Sequence, residues 1–397
     1  MKKHYFLLDE VENFPHAGIH IKRAQSQYPL PIDQYLTHFD EFSYTNFHNT
    51  NKSFLLDNKA YKFILNFIQM PQHVDFALSR EARDLLQTDP RAFLILFSVL
   101  EYQISPEELS RFCASRKIPL NKIIVLCSNV ESHAQSINGI KYVCINWWES
   151  VTRHHHQILP QTYVRPLENL ERQIWDAKKT FLCMNRNVKP HRIWFMYAMI
   201  KTGLIDQGYV SYHLPKINAQ DYKMLCDGHW VLKRIPPELH DDFKMVNQRK
   251  MFPRLLDRLD QETIIQYHAG PTKFYEDSVL SFVTESESTK NFITEKTYKA
   301  MVNLHPFFII GNPDQHAMLR ARGYETFESL FGTRQVMDYR EATEMLEYIG
   351  SIKSEILKQN IVKNYLDKLI HNYKKFFTRR ISWQTIVQEI FDATERK

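Results

Sequence analysis

VTESESTKNFITEKTYKAMVNLHPFFIIGNPDQHAMLRARGYETF, residues 283–327, contains two passages from strand to helix. An apolar run ends at Thr284, and Thr294 is a good N-cap, so Glu295 and Lys296 fall in the first turn of a helix over 295–303. On a helical wheel Tyr298, Met301 and Val302 form its apolar face, with Glu295 at the edge and Lys296 clear of it. A short buried strand over 306–310 follows, then a helix over 313–322. Strand, helix and strand at this spacing make a βαβ unit and a parallel sheet.

The same rhythm extends outward. Residues 180–184 predict a strand and 185–190 a polar loop. Residues 191–202 predict a helix that is apolar on nearly every side and therefore buried. A strand over 209–212, a helix over 241–259 and a strand over 279–284 complete this half. In the first half, 4–8, 92–100, 122–127 and 142–146 predict buried strands, being short apolar runs mostly rich in β-branched or aromatic residues. Ser105-Pro106-Glu107-Glu108 opens a helix between two of them. Residues 159–179, with Pro160, Pro166 and a charged stretch, predict an interdomain connection. The fold class expected is α/β, with two Rossmann-like domains in series, 1–160 and 176–360, and a helical segment over 361–397. In such folds ligands lie beyond the carboxyl ends of the strands.

Composition narrows the function. With 44% hydrophobic and 13% aromatic residues, 397 residues bury sizeable cores and exclude disorder. The longest apolar runs, 92–100 and 193–200, are about half what a membrane-spanning helix needs, and the N-terminal apolar stretch is too short for a signal peptide. The five cysteines are odd in number, widely spaced and set in apolar segments, which predicts buried thiols and a cytoplasmic location. A formal charge of +6 suits a small anionic ligand. The basic, aromatic stretch 363–380 predicts a helix with one solvated face, with peripheral contact to a membrane or nucleic-acid surface as the lesser alternative. Ten glycines is few against an average near 7%, and neither G-x-G-x-x-G nor G-x-x-x-x-G-K-[ST] occurs. Any phosphate must therefore be held by helix N-termini and cationic side chains.

Two such places exist. Lys296 opposes the helix macrodipole, and an anion shared with the helix N-terminus would reverse that penalty; an ion pair with Glu295 or Glu287 is the equally weighted alternative. Upstream, the loop MNRNVKPHR (184–192) leaves a buried strand. Arg186 and Lys189 lie in it, and Arg192 lies in the first turn of the next helix. Cations at two helix starts could converge on one diphosphate, a group that arginine suits.

The pattern Glu285…Phe292-Ile293-Thr294-Glu295-Lys296…Pro306…Gly311 resembles the donor-binding signature of the family 10 glycosyltransferases, the α-1,3-fucosyltransferases, and Asn185…Arg192 resembles the family's upstream Asn…Arg segment. The resemblance covers about 150 residues and is most specific at Thr294-Glu295-Lys296. It implies a GT-B fold, whose two domains face each other across a cleft, and inverting transfer from a nucleotide-diphosphate sugar held mainly by Asn185, Arg186, Arg192, Glu285, Thr294, Glu295 and Lys296. Within that set it puts Glu295 on the ribose hydroxyls, Arg192 and Lys296 on the diphosphate, and Glu285 near the sugar. Ser286 stands where the family has Asn, and Cys127-Ser128-Asn129 where it has Gly-Glu-Asn.

A catalytic base must reach the acceptor from the N-terminal domain. Glu101, at a strand's carboxyl end, ranks first and Glu131 second, with Asp9 and Glu10 similarly placed. For each, a loop carboxylate that caps or solvates the next helix is the bland alternative. His154-His155-His156 lacks further ligands at metal spacing, and no Asp-x-Asp occurs, so no metal and no cofactor beyond the donor is expected. Trp147-Trp148 suits a sugar-stacking wall or core packing. The acceptor expected is a glycan or another hydroxyl compound. The alternatives are a catalytically degenerate scaffold that binds a nucleotide or glycan, and a transferase that modifies nucleic acid.

Overall fold

The computed structural model describes residues 4–8, 42–46, 61–67, 78–98, 106–127, 139–144, 148–149, 152–153, 167–185, 189–212, 256, 272–286, 288, 291–378 and 383–395. Contacts divide the chain into two compact units, Met1–Trp147 with Arg380–Lys397, and Trp148–Arg379.

The first unit is a six-stranded sheet, built from β1 (His4–Leu8), β2 (Phe42–Asn46), β3 (Lys62–Phe67), β4 (Ala92–Ser98), β5 (Ile123–Cys127) and β6 (Lys141–Cys144). The order is β2-β1-β3-β4-β5-β6, and every pairing is parallel. Helices α1 (Arg80–Thr88) and α2 (Pro106–Ser115) make crossovers between neighbouring strands. Ser79 caps α1 by accepting from Ala82 N at 3.1 Å, and α1 buries Ala82 and Leu86. Leu94, Leu96, Ile123, Val125 and Ile140 pack with Leu109 and Cys113 of α2 in the core. Strands covered on both faces read as continuous apolar runs, which is why β4 and β5 were visible in the sequence.

The second unit is a four-stranded parallel sheet, ordered β10-β9-β7-β8. After α3 (Leu170–Asp176), it runs β7 (Lys179–Asn185), α4 (Pro190–Lys201), β8 (Gly208–Tyr212), α5 (Thr272–Glu276), β9 (Ser278–Thr284), α6 (Glu295–Val302), β10 (Phe307–Ile310) and α7 (Asp314–Ala321). Helices α8 (Tyr339–Ser351), α9 (Ser354–Asn364) and α10 (Leu366–Thr378) follow, and α11 (Trp383–Glu395) rejoins the first unit. There Tyr61 Oη donates to Glu395 Oε1 at 2.5 Å, and the Tyr61 and Phe391 rings meet edge-on at 5.4 Å. The stretch 159–179, expected as a connection, contains α3 with Leu170 and Ile174 buried. As its composition requires, α4 is buried along 191–199. Gly208 has a packing reason: a Cβ there would lie 2.2 Å from the Phe181 ring.

The α/β class is thus realised as two parallel sheets. The helix expected over 241–259 lies outside the described residues. Among those described, no helix is long and apolar enough to cross a membrane. Cys113, Cys127 and Cys183 are buried free thiols, and burial pushes Cys113 up to about 11 and Cys183 up to about 12.

Edge strand β10 exposes a backbone donor that His316 of α7 satisfies. Its Nε2 accepts from Ile309 N at 3.0 Å, and its ring meets Phe308 edge-on at 4.7 Å. Accepting at Nε2 requires the neutral ring. Burial, with Arg320 acting the same way and Glu328 opposing, lowers its pKa from 6.5 to about 4. The unfolded chain takes up this proton near 6.5, so the stabilisation is complete above that pH and is lost as pH falls toward 4. Urea titrations at pH 6.5 and pH 4 should show the wild type losing about 3 kcal/mol more than His316→Gln over that interval. Equal losses would remove His316 as the acid-sensitive group.

Candidate functional site

The second unit gathers its polar side chains at the carboxyl end of β9. The centre is Glu285, the residue after the strand, which is fully buried. Its Oε1 accepts from Thr294 N at 3.1 Å and Thr297 Oγ1 at 2.6 Å, and its Oε2 from Thr294 Oγ1 at 2.5 Å and Ser286 N at 3.3 Å. A carboxylate this deep is tolerated only when its lone pairs are filled, and here four donors fill them. It lies against the start of α6, where the macrodipole favours an anion.

Thr294 is the N-cap of α6, as its sequence position predicts. Its hydroxyl accepts from Lys296 N at 3.4 Å while donating to Glu285. The Lys296 ammonium is held by Ser286 Oγ at 3.0 Å, Thr294 Oγ1 at 3.2 Å and Glu295 Oε1 at 2.9 Å. The pairing with Glu295, weighed from the sequence as the alternative to an anion, is therefore present. The penalty on a lysine in the first turn is also offset from inside the fold, because Glu285 brings a negative charge to the same helix end.

The second cation reaches this segment from α4. Arg192, 2% exposed, donates through one Nη to Thr284 O and Glu285 O, both at 3.1 Å. His191 Nε2 lies 2.7 Å from Glu285 O. Asn185, at the end of β7, accepts from Thr284 Oγ1 at 2.5 Å and through its own backbone N–H donates to Ser211 Oγ at 3.1 Å. Asn185, Arg192, Glu285, Thr294, Glu295 and Lys296 thus meet around residues 284–286. Of these only Lys296 is not buried; its side chain is 22% exposed, against 3% for Glu295. Gly311 completes the enclosure. It has φ +146°, and a Cβ there would come within 3.3 Å of Ser288 Cα.

Arg186, Glu101, Glu131, Asp9, Glu10, Trp147 and His154–His156 lie outside the described residues. Among those described, no group of three or more His, Cys, Asp or Glu is placed to hold a metal. Sequence reasoning missed Thr284, Thr297 and His191 as site residues and noted Ser286 only as a departure from the family's pattern. Thr294 and Thr297 did carry a signal: hydroxyls three apart at a helix start share one face and suit a common acceptor.

No protein-family model matches the chain, and no curated protein matches it in sequence. Among solved structures it is similar to a UDP-forming α,α-trehalose-phosphate synthase from Burkholderia vietnamiensis, with 9% identity and a TM-score of 0.45 over 99% of this chain and 100% of that one. A second UDP-forming synthase, from Burkholderia xenovorans, gives 10% and 0.44 over 100% and 99%. An α1,3-fucosyltransferase gives 9% and 0.41 over 96% and 91%. At such identities the likeness concerns the fold alone.

Glu285→Gln replaces an acceptor by an amide whose NH2 group faces donors. Urea unfolding should show a loss of about 3 kcal/mol, from unsatisfied buried donors at the start of α6. A change below about 0.5 kcal/mol, the scatter of surface substitutions, would mean that the carboxylate is not what holds this helix start.

Proposed function

We propose that the chain is a glycosyltransferase that moves a sugar from a nucleotide-diphosphate donor to a hydroxyl acceptor, with inversion and without a metal. The observation that carries the proposal is the Lys296 ammonium. It is the one group among the described residues of the site left partly open, and it stands at a helix N-terminus beyond the carboxyl end of a parallel strand. That is where open α/β sheets bind phosphates, and where backbone donors and a cation act together on an anion. The motif Thr294-Glu295-Lys296 that places it there is also the part of the sequence with the most specific resemblance to a donor-binding signature.

On this proposal Lys296 contacts the diphosphate and Arg192 adds positive charge from behind the carbonyls of Thr284 and Glu285. Glu295 bridges the ribose hydroxyls, Ser286 and Glu285 border the sugar, and Asn185 and Arg186 line the neighbouring loop. Residues 176–360 form the donor half and 1–160 the acceptor half. The acceptor oxygen attacks the anomeric carbon while a carboxylate, Glu101 first and Glu131 second, takes its proton. The bond to the diphosphate breaks, and the leaving charge is neutralised by fixed cations and helix donors, a role a divalent ion would otherwise fill.

A thermal-shift panel of nucleotide sugars identifies the donor, and calorimetry with the matching nucleoside diphosphate then tests the residues. Lys296→Ala and Glu295→Ala should each weaken binding about tenfold or more, from lost charge-assisted hydrogen bonds. Glu101→Gln should bind normally and slow single-turnover transfer. No stabilisation by any nucleotide sugar would end the proposal. Activity abolished by a chelator and restored by manganese would overturn its metal-free part.

A further inference from the structure

A second buried carboxylate lies against the same helix and has no place in the chemistry above. Glu149, 1% exposed, accepts from Arg153 Nη2 at 2.6 Å and Tyr324 Oη at 2.7 Å through Oε1. Its Oε2 faces the Tyr298 hydroxyl at 3.5 Å, and that hydroxyl accepts from Arg322 Nη1 at 2.9 Å. Arg153 also donates through Nε to Phe376 O at 2.5 Å, with its guanidinium over the Phe376 ring. Burial, before any other cause, raises both phenols, so they stay protonated and can donate. Five polar side chains from the segments around 149–153, α6 and 322–324 are therefore linked through Glu149 and Tyr298, with α10 closing the far side through Phe376.

We infer that Glu149 is a positioning residue, which acts through Tyr298 to fix the rotation of α6 and thereby the placement of the Lys296 ammonium at the donor diphosphate; this rests on the function proposed above. Helix α6 is only eight residues long, about two turns, and its own hydrogen bonds do not determine how it is turned about its axis. Two polar contacts one turn apart do. Thr294 and Thr297 are tied to Glu285, and Tyr298 to the Glu149 cluster. At about 100° per residue these three positions fall on one side, and Lys296 falls opposite. Slippage by one residue would swing Lys296 by about 100° and part it from Ser286 Oγ. Phenylalanine at 298 would supply nearly the same buried area, so what the hydroxyl adds is direction.

The test is a double-mutant cycle on the full chain, titrating ADP, UDP, GDP and dTDP calorimetrically into the wild type, Tyr298→Phe, Lys296→Ala and the double variant. Tyr298→Phe should weaken the nucleotide that binds by about fivefold, the size of one lost hydrogen bond. The double variant should bind no more weakly than Lys296→Ala, because the hydroxyl acts through that ammonium. Glu149→Gln should behave as Tyr298→Phe, and Tyr298→Phe decides alone if Glu149→Gln does not fold. Equal weakening by Tyr298→Phe in both backgrounds, or none in the wild type, overturns the positioning role and leaves the proposed function standing. A wild type that binds none of the four nucleotides overturns the proposed function, and this role with it.

Discussion

The second unit depends on one carboxylate. Glu285 is fully buried at the end of β9, and desolvating an ionised carboxyl costs several kcal/mol unless its oxygens are filled. The chain fills them from Ser286 beside the strand end and from Thr294 and Thr297 where the helix begins. The strand end and the helix start are thus one rigid piece. Arg192 and His191 bind the backbone carbonyl of the same residue, which attaches the start of α4 to it as well. Two helices and a strand of the sheet share Glu285 as their common fixed point.

What was legible in the sequence follows from what is local. Strands β4, β5, β7 and β9 are buried on both faces and show as apolar runs; the cap at Thr294 and the buried α4 are also written in neighbouring residues. Strand β2, FSYTN, alternates aromatic and polar residues but is only five residues long, too short for that pattern to stand out. Strand β3 opens with Lys62, a residue that argues against burial until its partner is known; Asp89, in the turn before β4, lies 2.5 Å away. The charged helix α1 was missed because its apolar face is narrow, Ala82 and Leu86 with Leu85 half-buried beside them.

The site divides the same way. A cation placed against a macrodipole is visible in the sequence, and it led to Lys296 and Arg192. What cancels the conflict is not visible. Apart from the adjacent Ser286 N–H, the donors to the Glu285 carboxylate lie nine and twelve residues away, and Glu149 meets Tyr298 and Tyr324 across 149 and 175 residues. No periodicity encodes such pairings. Arg192 shows the consequence: its place at a helix start was legible in the sequence, and its two backbone carbonyl partners, more than ninety residues away, were not.

Lys296 is therefore the point at which structure and chemistry compete. Its ammonium already has three oxygen partners, of which only Glu295 is charged and within pairing distance. A diphosphate arriving at α6 cannot simply add to this arrangement, because Glu295 and the phosphate repel one another. On the function proposed above it would draw the ammonium away from a carboxylate that is itself nearly buried. The two hydroxyls of a ribose would replace that contact with hydrogen bonds. A phosphate without its nucleoside brings no such donors, so on that proposal the internal ion pair favours a whole nucleotide over a bare anion. The pair that looks like the bland explanation of Lys296 is thus a source of selectivity at the proposed donor site.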